Sequence, residues 1–106
     1  MTRINKFSIK ETKGLFKGPW DPKDVVEYAG LVLKVAKFEG KYGEKPHTHE
    51  YDEFFLVLEG EIRIYTEDGE VSLEMFEGVV IPSGLPHQPF AEKPALVLML
   101  DPKEQP

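Results

Sequence analysis

The sequence predicts an all-β fold, a sandwich or closed barrel of short antiparallel strands, and three observations carry that prediction. β-Rich runs of three to eight residues recur along the chain, separated by Gly, Pro or Asp. No stretch of useful length repeats its apolar residues at the helical period. The chain has 106 residues, one domain's worth, with no room for a second sizeable one.

Taken in order, residues 1–24 read as an irregular N-terminal arm with at most one edge strand. Gly14, Gly18, Pro19 and Pro22 punctuate it around Phe16 and Trp20. Residues 25–106 read as the single β domain. Its first strands fall at 25–28 and 31–38, and the next pair at 53–59 and 61–66. Gly60 interrupts that pair and predicts a bulge or a barrel corner. Glu67-Asp68-Gly69-Glu70 supplies a tight hairpin turn into a strand at 71–73. A strand at 79–81 ends at Pro82-Ser83-Gly84, and two more follow at 87–90 and 95–100.

The run from Glu53 to Leu58 is the most informative. Glu53, Phe55 and Val57 share one face by the two-residue strand period, and Phe54, Leu56 and Leu58 share the other. Two apolar faces require a second layer on each side, either a sheet or a partner subunit, which predicts a homodimer. A glutamate aimed at an apolar interior is costly unless something pairs with it.

Composition removes several function classes. Hydrophobic residues make up 41% and charged residues 30%, as in an ordinary globular domain. Cysteine is absent, which excludes disulfides, Fe–S clusters, thiolate zinc sites and a cysteine nucleophile. A formal charge of −6 argues against nucleic acid or an anionic membrane as partner. The longest aliphatic run, 95–100, is far short of the roughly 20 residues a membrane helix needs. No apolar run follows Met1, which predicts a cytoplasmic location. Lys and Glu are abundant and Asn5, Gln88 and Gln105 are the only side-chain amides, a thermophile-like composition. There is no Gly-x-x-x-x-Gly-Lys loop, and none of Ser8, Ser72 and Ser83 lies in Gly-x-Ser-x-Gly.

The chemistry-bearing residues are the three histidines and Glu53. His47 and His49 are two apart and Glu53 keeps their parity, so an unbulged extended segment puts all three on one face. His87 comes from a distant segment that a closed barrel brings opposite. Three imidazoles and a carboxylate suit a first-row divalent ion (Mn, Fe, Ni or Zn) with positions left open. A metal would also answer the burial of Glu53. The competing reading is an ordinary His-x-His with Glu53 paired to Arg63 or Lys34. Every histidine falling in one ordered pattern favours the metal.

Two stretches resemble the motifs of the cupin superfamily. Gly40 through His47-Thr48-His49-x-x-x-Glu53 to Gly60 looks like the first, and Phe76-Glu77-Gly78-Val79-Val80-Ile81-Pro82-Ser83-Gly84-Leu85-Pro86-His87 looks like the second. Resemblance to small single-domain cupins, often described by analogy with phosphomannose isomerase, implies a jelly-roll-like barrel (a double-stranded β-helix). It also implies a metal held by His47, His49, Glu53 and His87. Three positions depart from the pattern. Gly40 stands one residue further from His47, Phe76 occupies a common glycine place, and Ala91 sits where an asparagine often follows.

Three function classes follow. One is a metal-dependent isomerase or dioxygenase acting on a small polar molecule, with Glu44 as candidate base and Tyr51 lining the pocket. The second is a barrel that binds a small ligand without chemistry, as sensor or store. The third is a structural metal in a dimeric interaction domain. Gln88 flanks the ligands as a supporting contact. Trp20 and Phe16 either close the barrel mouth or cap the core. Lys41 and Lys45 either attract an anion or are plain solvated charges.

Overall fold

The computed structural model describes residues 2–105. It contains one short helix, α1 (Ile9–Lys13), and seven strands: β1 (Lys23–Tyr28), β2 (Leu31–Lys41), β3 (Glu53–Glu59), β4 (Ile62–Thr66), β5 (Gly69–Leu73), β6 (Gly78–Ile81) and β7 (His87–Pro102). All named pairings are antiparallel, and the all-β jelly-roll prediction holds.

Hydrogen-bonded neighbours run β1-β2-β7-β3-β6, with β5 joined to β4 and β4 to β7. Among the described residues no ladder joins β5 or β6 back to the first strand, so the sheet folds over itself without closing. The predicted closed barrel is corrected on this point.

The long strand β7 makes this architecture possible. The sequence reads as two strands here, at 87–90 and 95–100, because Glu92-Lys93-Pro94 looks like a break. The structure has one strand with a bulge at that place. Ala91 pairs with Gly40 and Ala95 with Phe38, so the three residues between them face a single residue of β2. Pro94, which has no N–H to donate, is tolerated there. On either side of the bulge β7 serves different partners, β4 through His87–Phe90 and β3 through Leu96–Leu100. It therefore belongs to both layers of the fold.

Gly60 behaves as predicted. The register shifts between Val57 and Glu59, and Gly60 has φ +85° with Ala95 only 3.1 Å from where a Cβ would stand. Gly78 is required by proximity alone, since a Cβ would lie 2.7 Å from the Phe55 carbonyl oxygen. Phe76, two residues before it, has φ 68°. That left-handed conformation suits glycine and strains phenylalanine, which gives a physical reason for the glycine found in the resembled motif.

The irregular arm contains the one element the sequence reading omits. Ser8 caps α1, its Oγ accepting from the Glu11 N–H at 3.1 Å, in a Ser-x-x-Glu pattern. At five residues the helix is too short to register as a periodicity.

The interior is packed at one end by Phe55, Val57, Ile62, Ile64, Leu73 and Val97. The outer face is less well covered. Val26, Leu33, Leu100, Phe54 and Val80 lie in register across five strands, and Val80 is 60% exposed.

Candidate metal centre

Three of the four predicted ligands enter from one segment, but not for the reason parity suggested. Residues 42–52 form no regular strand. His47 is instead fixed by reciprocal backbone bonds with His87, each N–H reaching the other's carbonyl at 3.0 Å. His49 is held one turn further on, its carbonyl accepting from the Gly84 N–H at 2.9 Å. Ser83 N–H donates to Asp52 at 2.9 Å and pins the same loop to the Pro82-Ser83-Gly84 turn. Gln88, buried beside the site, donates to the carbonyls of Tyr42 and Gly43. Its role is to anchor the loop. Glu53 begins β3 and points inward by strand alternation.

The result is compact. One ligating atom from each of His47, His49, Glu53 and His87 lies within 4.8 Å of the others. Glu53 is 4% and His87 1% exposed. Neither Lys34 nor Arg63 pairs with Glu53. Lys34 binds Asp101 at 3.2 Å, and Arg63 is exposed. Glu53 instead meets His87 Nε2 at 2.8 Å and His49 Nε2 at 3.0 Å.

The proton arithmetic of this cluster favours a cation. His87 Nδ1 lies 2.8 Å from the Leu85 carbonyl, which can only accept, so the proton sits on Nδ1. The lone pair of a neutral Nε2 then faces a carboxylate oxygen. Two acceptors at 2.8 Å need a proton or a metal between them. For His87, burial works against charge, but the bonds to Glu53 and Leu85 outweigh it and hold the imidazole above its ordinary pKa. For His47, burial followed by the neighbouring histidines pushes the pKa down, favouring the neutral ligating form. His47 Nδ1 is buried without a hydrogen-bond partner. An orphaned imidazole nitrogen beside a histidine–carboxylate cluster fits a metal ligand set.

A cavity of about 150 Å³ adjoins the cluster, bounded by His47, His49 and Glu53 and by Trp20, Phe38 and Tyr51 among others. Trp20 stacks obliquely on Phe38 with ring centres 4.5 Å apart, and its indole N–H donates to the Glu39 carbonyl. It therefore lines the cavity while packing on the core, and Phe16 does not line it. Tyr51 stacks on His49 at 5.1 Å. Burial, then the charges of Asp101 and Glu53, raises the Tyr51 pKa and keeps its hydroxyl protonated. Glu44 is exposed and lies outside both cluster and cavity. Lys41 and Lys45 are likewise exposed and line no part of it.

A cupin-domain family model matches residues 35–101, well over half of the chain. The protein is a cupin. A cupin-2 domain protein from Shewanella frigidimarina is 30% identical, with a TM-score of 0.83 over 90% of this chain and 92% of that one. Protein NMB1881 from Neisseria meningitidis is 24% identical, TM-score 0.81, covering 92% and 99%. A hydroquinone 1,2-dioxygenase, PnpCD, solved with Cd²⁺ and 4-hydroxybenzonitrile, is 21% identical, TM-score 0.76, covering 92% and 72%. No curated protein sequence matches the chain. Among the described residues no helix is long and apolar enough to cross a membrane.

The sequence reading of this cupin omits Asp101, which lines the cavity beside Met99. The signal was available. Val97, Met99 and Asp101 share strand parity, but a strand ended at residue 100 hides the last of them.

Proposed function

We propose that this cupin is a metal-dependent enzyme acting on a small molecule admitted to the Trp20-lined cavity, with His47, His49, Glu53 and His87 as the ligands. One observation carries the reading: four donor atoms converge within 4.8 Å, and three of their residues, His47, His49 and Glu53, line a cavity large enough for a small substrate. A bound divalent ion would supply Lewis-acid or one-electron chemistry there, as an isomerase or a dioxygenase requires. The chain's own contributions are specific. The Leu85 carbonyl orients His87, Glu53 answers two imidazoles at once, and Trp20 and Phe38 form an aromatic wall. Tyr51, stacked on His49, is the candidate proton donor at the cavity, in preference to the outlying Glu44. Ligand binding without turnover is the second reading, favoured because Asp101, the further carboxylate lining the cavity, is already engaged by Lys34.

The working unit we propose is a homodimer joined through the outer face. The row runs Val26, Leu33, Leu100, Phe54, Val80, and its first three residues line a hollow of about 490 Å³ together with Phe7, Tyr28 and Leu31. An uncharged apolar row can face its own copy across a two-fold axis, where the same patch is used by both subunits.

One preparation tests both. Protein made without chelator or nickel resin should carry about one equivalent of metal, and a His47→Ala/His87→Ala variant almost none. Light scattering should give twice the 12.1 kDa chain mass for both. Equal metal in the two proteins, or none after reconstitution, refutes the site. A monomer refutes the interface.

A further inference from the structure

Trp20 is held at the cavity in a backbone conformation that its residue type does not favour. Its φ is 63°, in the left-handed region that strains a tryptophan. Two bonds to β2 keep it there. Its backbone N–H donates to the Lys37 carbonyl at 2.8 Å and its indole N–H to the Glu39 carbonyl at 3.0 Å. These bonds straddle Phe38, and the indole packs on that ring and on Tyr42, with ring centres 4.5 Å and 5.0 Å away. Trp20 comes from the arm, ahead of residues 35–101 that match the family model, so this wall stands outside the matched domain.

The walls that a small molecule can reach are those that keep some exposure. Outside the cluster these are Pro22 and Tyr42, which are exposed, and Trp20, Tyr51 and Met99, which are partly so. Aromatic side chains dominate that set. The indole N–H is engaged by Glu39, so Trp20 offers the cavity carbon surface and no donor. Among the described residues no lysine or arginine lines the cavity. Outside the cluster the chain therefore provides no counter-charge for a phosphate and few partners for a polyhydroxylated molecule. A space of about 150 Å³ is the size that holds one six-membered ring. Aromatic walls favour an aromatic ring over a saturated one beyond what buried area alone gives.

We propose that Trp20 is the specificity residue of this cavity and that it selects a single flat aromatic ring over a puckered or polyhydroxylated one. The inference rests on the reading of the cavity as substrate space beside the metal cluster. Trp20 acts here as a binding residue, with the Lys37 and Glu39 carbonyls fixing its place.

The test compares phenol, cyclohexanol and xylose, each a single six-membered ring. The first two share one hydroxyl and differ in flatness, and the third is puckered and polyhydroxylated. Binding is followed by the methyl signal of Met99, one of three methionines, which lines the same cavity and remains when Trp20 is replaced. Phenol should bind about three- to tenfold tighter than cyclohexanol, the size of effect expected for an aromatic pair, and xylose more weakly than either. Phenol and cyclohexanol should bind about equally to Trp20→Leu, and the preference should persist in Trp20→Phe. Equal binding of phenol and cyclohexanol by the natural protein overturns the proposal without recourse to any variant. So does xylose binding as tightly as phenol, or a Met99 signal that none of the three molecules moves. A phenol preference that survives in Trp20→Leu comes from the cluster and overturns the role of Trp20. Metal content measured on the same samples separates the two ideas. Metal without a ring preference overturns this proposal and leaves the enzyme reading, and a ring preference in a protein that takes no metal does the reverse.

Discussion

The two ends of β3 make opposite uses of the same inward face. At one end Val57 is fully buried among Ile62, Ile64 and Val97, a packed interior with no polar atom to satisfy. At the other end Glu53 faces three imidazoles beside a cavity, and two of the cavity-lining residues, His47 and Asp101, each bury a polar atom without a hydrogen-bond partner. The strand is continuous, and only the occupant of the alternate position changes. Stability is concentrated where side chains fill space. The unsatisfied buried side-chain atoms of the described residues lie at the cluster end, at a cost the packed end offsets.

The contrast can be broken most sharply at the packed end. Ile64→Ala should cost about 2–5 kcal/mol by leaving a hole in the core, while metal stoichiometry in the surviving folded protein stays unchanged. Chemical denaturation and metal analysis of one sample decide it. A small loss would mean that the two ends are not separate in the way described.

At the cluster end the expected effect is intermediate and depends on pH. The raised pKa of His87 means that the folded, metal-free chain holds that proton more tightly than the unfolded chain. Its contribution to stability is therefore complete below the ordinary imidazole value of about 6.5 and is lost as pH rises through the raised value. The lowered pKa of His47 acts the other way, its contribution being lost as pH falls from about 6.5 through the lowered value. A metal replaces the His87 proton and needs His47 neutral, so both effects make metal stabilisation grow with pH. Melting temperatures with and without Mn²⁺ should differ little at about pH 5.5 and clearly at about pH 8. A shift of equal size at both would contradict the three-histidine site.

The smallest effect lies outside both ends, at the strained turn. Phe76 is 73% exposed at φ 68°, so little burial is lost with its side chain. Phe76→Gly should stabilise the fold by about 0.5–1 kcal/mol, raising the melting temperature by a few degrees. A drop instead would show that the phenylalanine packs against a partner.

Most of the fold and the composition of the cluster were legible in the sequence, for different reasons. Strand alternation from Glu53 to Leu58 named the inward face correctly, because period-two burial is a local property. Strand parity predicts the cluster of His47, His49 and Glu53, whereas in the molecule loop anchoring assembles it. Backbone bonds from His87 and Gly84 set those two histidines, and such long-range pairings leave no trace in local pattern. The unity of β7 was hidden by Pro94, since only the register with β2 reveals a bulge that excuses it. Closure was over-read, because hairpin-rich sequences look alike whether or not the last edges meet.

The reciprocal bonds between His47 and His87 involve no side-chain atom. The frame that brings the two segments together is therefore indifferent to which residues it displays. Substitution at either position leaves that stitching in place and changes the side chain presented to the cluster. A lineage with this architecture can lose a ligand, exchange it for another donor, or change metal altogether without first inventing a new fold. In this chain the backbone pairing of the two segments sets no condition on the side chains, whereas Gly78, with its carbonyl contact at 2.7 Å, is fixed by the backbone itself.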